Sequence, residues 1–232
     1  MDFSKNMNIR IRLLHTAQHQ DIADIYFQGQ KEVLKEFGVD KIDSIKNNWR
    51  DNPLTYMLIA ENIKTGEIGG GLRLDVVDPS NPIPIQEAIK HLTPSIVPRV
   101  HKYDNVLAEL CGMWVKKEFS ERSLSTALIR SAISVCSKLR ISVLLALPPL
   151  HTKFIFDNLG FSVVTDVSNK GEFQYPDERY ISTLMALDFT EEYSMKNEEE
   201  GFIKLLKEKP NTVIYDQVKN NPFTLEYDLR LI

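Results

Sequence analysis

The stretch from Asn105 to Pro148 constrains the fold most. "NVLAELCGMWV" reads as a strand, "SERSLSTALIRSAISVCSKLR" as a helix entered through serines, and "ISVLLALP" as a second strand. Two adjacent strands joined through a helix lie parallel with a right-handed crossover. An unbroken apolar run such as "VLLAL" belongs to a strand covered on both faces. "LHTKFIFDNLG" and "FSVVTDV" extend the alternation by a further helix and strand.

The first half is patterned differently. "NIRIRLL", from Asn8, alternates polar and apolar residues with period two, as a half-buried strand does. Thr16 offers an N-cap for a helix carrying Ile22, Ile25, Tyr26, Val33 and Leu34 and ending near Gly38. A helical or irregular piece follows over Asp40–Arg50. Two strand-like runs in "YMLIAENIKTGEIGGGLRLDVVD" flank "NIKTG", a hairpin signal, since Gly66 can take the positive φ of a tight turn. Gly69, Gly70 and Gly71 then fall inside a strand, where a bulge or a closely packed neighbour is the first expectation and ligand contact the second. The pattern is therefore antiparallel first and parallel later, an α/β (α+β) chain with a mixed sheet.

Residues Asp78–Pro98 hold five prolines around a short amphipathic segment and read as an insertion across one face. "RYISTLMALDF" supplies one more strand. Phe202, Ile203, Leu205 and Leu206 mark the apolar face of a late charged helix, and "NTVIYD" and "FTLEYDLRLI" read as two edge strands. Residues 1–190 are expected to form the main domain, and residues 191–232 a helix and edge strands packed on it.

Cys111 and Cys136 sit in apolar segments outside any metal or CxxC spacing, which predicts reduced, buried thiols and no metal site. A net charge of −4 gives no general attraction to nucleic acid, and no run of 18 apolar residues offers a membrane span. The opening "MDFSKNMNIRIRLLH" has no signal-peptide core, so a cytoplasmic enzyme or binding protein is expected.

"VKKEFSERSLSTALI", placed between strand and helix, resembles motif A of the GNAT (N-acetyltransferase-like) superfamily, which runs Arg/Gln-x-x-Gly-x-Gly/Ala into a helix. "FIFDNLGF" is similar to that superfamily's F-Y-x-x-x-G-F ending, and "IRIRLLHTAQHQDIADIY" to its first strand and helix. "GGLRL" followed by the insertion and "LAELCG" more weakly resembles the autoinducer (acyl-homoserine lactone) synthases and long-chain N-acyl amino acid synthases, with Gly70, Arg73, Leu74 and Glu109 matching. Cys111-Gly112 stands where those families have Ser-Arg.

The resemblance implies a mostly antiparallel central sheet with a parallel pair in its middle and helices on both faces. It implies an N-acyltransferase that moves an acyl group from acetyl-CoA, a longer acyl-CoA or an acyl carrier protein to a small-molecule amine; a homodimer is a separate expectation. Backbone amides near Met113, Trp114 and Val115 would hold the pantetheine arm and polarise the thioester. The loop Ser120, Glu121, Arg122, Ser123, Leu124 and Ser125 would bind pyrophosphate at the helix N-terminus, where free N–H groups and the helix dipole favour an anion even without glycine. Glu109 is the candidate base, and Arg73 and Cys111 are candidate substrate contacts.

Each reading has a plainer counterpart. The serine loop could be only a capped helix, Glu109 could pair structurally with Arg73, and Cys111 could be an inert core thiol. Phe156 stands where the superfamily has an acidic tyrosine. That leaves Tyr103, Ser142, His151 or unassisted thiolate departure for the leaving group, or else a catalytically silent acyl-CoA-binding module. A carrier-protein donor would use Lys116, Lys117, Arg122, Lys138 or Arg140 as its docking patch.

Overall fold

A computed structural model describes residues 8–39, 49–77, 83–85, 106–120, 123–176, 178–218 and 221–231. The predicted stretch Asp40–Arg50, save its last two residues, and all of the proline-rich insertion except residues 83–85 lie outside them, as does Tyr103.

Among the described residues nine strands form one sheet: β1 (Asn8–His15), β2 (Thr55–Asn62), β3 (Ile68–Val76), β4 (Val106–Val115), β5 (Ile141–Ala146), β6 (Ser162–Val163), β9 (Met185–Asp188), β10 (Asn211–Val218) and β11 (Asn221–Asp228). Their spatial order is β10-β11-β1-β2-β3-β4-β5-β9-β6. A separate hairpin joins β7 (Glu172–Gln174) and β8 (Ile181–Thr183). The helices are α1 (Gln20–Glu36), a single turn α2 (Lys117–Ser120), α3 (Leu124–Val135), α4 (Leu150–Asn158) and α5 (Asn197–Glu208).

Period-two patterning decides which side chains face which helices. Ile9, Ile11, Leu13, Leu58, Leu72, Leu74, Ala108, Leu110 and Leu144 bury against α3 and α5. Leu14, Met57, Ile59, Ile68 and Trp114 bury against α1 through Ala23, Tyr26 and Val33. Because the sheet is covered on both faces at its centre, all nine residues of β3 are buried. The half-buried Arg130–Glu199 ion pair, with Arg130 4.3 Å from the Phe202 ring centroid, ties α5 to α3.

The predicted parallel pair is β4–β5, joined through α3. β5 and β6 are not neighbours: β9 inserts between them, antiparallel to both, and "FSVVTDV" contributes only two strand residues. "RYISTLMALDF" divides into β8 and β9 because Leu184 passes the chain from the hairpin to the main sheet. Of the two strands expected at the edge, only β10 is one. β11 runs parallel to β1 and is enclosed between β10 and β1, a second parallel pair that local patterning does not reveal.

Thr16 does not cap α1; its Oγ1 donates to the Thr55 carbonyl at 2.8 Å while a 3₁₀ turn intervenes. Ile25 is solvent-exposed on the outer face of that helix. The hairpin at Gly66 is as expected, with φ 72° and its N–H bonded to the Asn62 carbonyl. The glycine run serves close packing: a Cβ on Gly69 would lie 2.3 Å from the Phe119 ring, and one on Gly71 would lie 2.6 Å from Tyr26.

Candidate functional site

The site arises where β4 outruns β5. Their parallel pairing covers Val106–Leu110 against Ile141–Ala146, and then stops. β5 ends in Leu147-Pro148-Pro149, and Pro148 and Pro149 have no N–H to continue a ladder. Beyond Leu110, Cys111, Trp114 and Val115 pair with β3 alone, so among the described residues the backbone groups of this stretch on the β5 side have no strand to bond.

A bulge lies at this same point. Arg73 pairs with Cys111 but Gly71 pairs with Trp114, so β4 carries one extra residue. Gly112 supplies the necessary positive φ, 62°, and Tyr26 donates a 2.5 Å hydrogen bond to its carbonyl from α1. Simple alternation would put Met113 on the face of Glu109 and Cys111 and Trp114 on the other. The bulge reverses this, sending Trp114 under α1 and Met113 toward the α3 side.

Replacing Gly112 by Ala measures how firmly the bulge is held. Its Cβ would lie 2.8 Å from Tyr26 Oη and 3.0 Å from Gln30 Nε2. The expected loss is about 2–3 kcal/mol, combining left-handed strain with a displaced hydrogen bond. Gly66→Ala has a similar φ but no atom within 4 Å of the new Cβ, so it should lose only the strain part. Equal losses in denaturant titrations would mean that packing does not hold the bulge.

A cavity of about 410 Å³ opens through the gap, a volume that suits a small ligand. One wall is the α1 side, with Gln30, Val33, Glu109 and Cys111. The opposite end reaches Met113, Val115, Ser120 and Ser125 at the start of α3. Trp114, predicted with them, also borders it.

The serine loop differs from a capped helix. Ser123 occupies the N-cap position at φ 50°, a left-handed conformation that favours glycine, and its hydroxyl makes no cap hydrogen bond. Ala127 N–H is bonded to the Ser123 carbonyl, so the N–H groups of Leu124, Ser125 and Thr126 have no intrahelical acceptor. Leu124 contributes backbone only, since its side chain is buried in the core. Ser120 Oγ donates to the Lys117 carbonyl, within the α2 turn that stands where a plain polar turn was expected. Glu121 and Arg122 lie outside the described residues. Lys116 is paired with Glu67 at 2.8 Å, and Lys138 and Arg140 follow the far end of α3, about 18 Å along its axis from its start.

Beneath α1 lies a buried polar cluster. Arg73 Nε donates to Asp75 Oδ1 at 2.9 Å, Nη2 lies 2.9 Å from Oδ2, and its guanidinium carbon is 4.6 Å from the Trp49 ring centroid. Among the described residues the carboxylate that pairs with Arg73 is thus Asp75 rather than Glu109, and Arg73 is not in the cavity lining. Cys111 Sγ donates to Asp75 at 3.2 Å, and burial pushes its pKa well up, the property of an inert thiol. Cys136, also free and buried, is pushed up to about 12 by burial.

Glu109 is 3% exposed and borders the cavity. Burial raises its pKa well above the usual carboxylate range, an effect only partly offset by the Ile85 N–H donated to Oε2 at 2.8 Å. Phe156 borders the cavity and stacks edge-on against Phe161, with 5.2 Å between centroids. His151 also borders it, whereas Ser142 does not. Tyr175, Tyr180 and Gln30 reach the cavity without any sequence motif to announce them. Helical spacing places Gln30 one turn after Tyr26, but only the docked helix shows what it faces.

No protein-family model matches this chain, and no curated protein matches it. Solved structures do. An N-acyl amino acid synthase from uncultured soil microbes, FeeM, superposes with TM-score 0.61 at 12% identity over 78% of this chain and 95% of that one. The CoA-dependent acyl-homoserine lactone synthase MesI gives 0.59 at 14%, over 90% and 98%. An acyl-CoA N-acyltransferase from Pseudomonas aeruginosa gives 0.55 at 15%, over 77% and 99%. This chain therefore has the GNAT-like fold shared by acetyltransferases and by the acyl amino acid and acyl-homoserine lactone synthases.

Proposed function

We propose that the protein is an N-acyltransferase, moving an acyl group from acyl-CoA to a primary or secondary amine. The observation that carries this reading is the parting of β4 from β5 after Leu110 and Ala146, with a cavity in the gap that ends on the first turn of α3. Cytoplasmic residence, a carrier-protein donor and a homodimer are further parts of the same reading.

The residues present fit such a donor. The free N–H groups of Leu124, Ser125 and Thr126, at the positive end of a helix of 12 residues, suit a pyrophosphate. The backbone of Cys111 to Val115 on the side that β5 has left suits the amide-bearing pantetheine arm and offers N–H donors to the carbonyl oxygen as it gains charge. The acyl thioester supplies an activated carbonyl carbon. The amine nitrogen forms a bond to that carbon, the carbon–sulfur bond breaks, and the amine proton passes to Glu109. The sulfur leaves as a thiolate, whose modest basicity lets it go unassisted, or takes a proton from Tyr175, a tyrosine of the cavity lining.

Free CoA is expected to raise the melting temperature, by about 2.7 kcal/mol of stabilisation at a hundredfold excess over Kd. The shift should shrink with salt. Thiol release from acyl-CoA in the presence of an amine panel then tests turnover. Stabilisation with no thiol released from any amine would favour a silent acyl-CoA-binding module, and no stabilisation at all would remove the donor site.

A further inference from the structure

Gln30 is the one polar residue of α1 that the described cavity wall presents deep inside the protein. It is 2% exposed, one turn beyond Tyr26 on the same helix face. Its carboxamide lies over the bulge, with Nε2 3.0 Å from the point where a Cβ on Gly112 would stand. Oε1 is buried and has no hydrogen-bond partner, and the residue borders the cavity.

Native proteins leave few buried polar side chains unpaired, because such a group has given up water for nothing. Val33 and Leu34, which line the same wall, show that an apolar residue would serve the packing. The nearby alternatives are already engaged: the Gly112 carbonyl takes the Tyr26 hydroxyl, and Cys111 Sγ is bonded to Asp75. Gln30 over Gly112 and Glu109 three residues back are thus two hydrogen-bonding groups presented to the cavity from one face of the sheet.

We propose that Gln30 is the specificity residue of an acceptor compartment on the α1 side, its carboxamide turning so that the buried Oε1 accepts an N–H from a primary amine and holds the nitrogen beside the bulge. A primary amine fits because it carries more than one N–H on one atom, while a hydroxyl has a single hydrogen to share between Gln30 and Glu109. This rests on the acyl-transfer reading for what happens to the amine, but not for its binding.

The test uses the full chain and its Gln30→Leu and Gln30→Met variants, titrated calorimetrically with phenethylamine and with 2-phenylethanol, and separately with CoA. The expected result is that phenethylamine binding weakens about tenfold or more in both variants, with the CoA response and melting temperature kept. The alcohol should bind the wild type more weakly and depend less on Gln30. Equal amine affinity in wild type and variants, or no amine binding to the wild type, would overturn the proposal. So would an alcohol that matches the amine. If amine binding depends on Gln30 while CoA has no effect, the compartment stands and the acyl-transfer reading fails. In a protein that turns over, the variants should raise KM for the amine while KM for acyl-CoA holds.

Discussion

Arg73→Met is expected to destabilise the protein by about 3–5 kcal/mol, the usual loss when one partner of a buried pair is removed. Arg73 is 1% exposed and Asp75 5%. Burial alone would disfavour the guanidinium charge, but Asp75 more than restores it, leaving the Arg73 pKa raised. Without Arg73 the Asp75 carboxylate would keep, among the described residues, the weak Cys111 thiol as its side-chain donor in the interior. In a chain of 232 residues that loss should lower the melting temperature by roughly 10 °C or more. The double variant Arg73→Met, Asp75→Leu should recover much of it, because neither charge then needs a partner. A double variant no more stable than the single one would show that the pair is not what Arg73 contributes.

Glu109→Gln should reduce the rate of acyl transfer about 10²–10⁴-fold, the range for losing a positioned proton acceptor. The amide retains an oxygen for the Ile85 N–H, so the local fold and the CoA-induced stabilisation should survive. The raised pKa adds a pH signature. Activity of the wild type should rise with pH through a limb displaced upward from the ordinary carboxylate range, and the variant should lack that limb.

Stability carries the opposite sign. The folded pKa of Glu109 is raised, so the folded state binds the proton more tightly than the unfolded state. That contribution is fully present below the unfolded pKa and is lost as pH rises toward the folded one. Glu109→Gln should therefore gain stability relative to wild type at pH 8 compared with pH 4. Melting curves at the two values read this directly, and a variant within threefold of wild-type turnover would remove Glu109 from the base role.

Much of the frame was legible because it depends on local periodicity. The alternation of β1, the Gly66 turn and the apolar run of β5 each carry their own signal, and the helix between β4 and β5 forces their parallel arrangement. β11 between β10 and β1 was not legible, since pairing across more than 200 residues leaves no local trace. Nor was the insertion of β9 between β5 and β6, which depends on where the chain returns after the β7–β8 hairpin.

The candidate site divides the same way. Glu109 inside an apolar strand and serines before a helix stand out in sequence because each is costly or characteristic there. That Arg73 pairs with Asp75 instead of Glu109 follows from their alternation on β3, two residues apart on one face, and from how deeply that face is covered. That Ser123 takes a left-handed conformation, and that Gln30 is buried unpaired over Gly112, are results of packing between elements distant in the chain.

By itself the sequence determined the strand and helix order around Glu109 and the residue types at the head of α3, because these are matters of period and local hydrogen bonding. Only the tertiary structure decided that β4 leaves β5 at Leu110, that a bulge at Gly112 turns Trp114 under α1, and that a cavity joins Gln30 to Ser125. A gap between strands is made by where neighbours stop pairing, and no single segment encodes that.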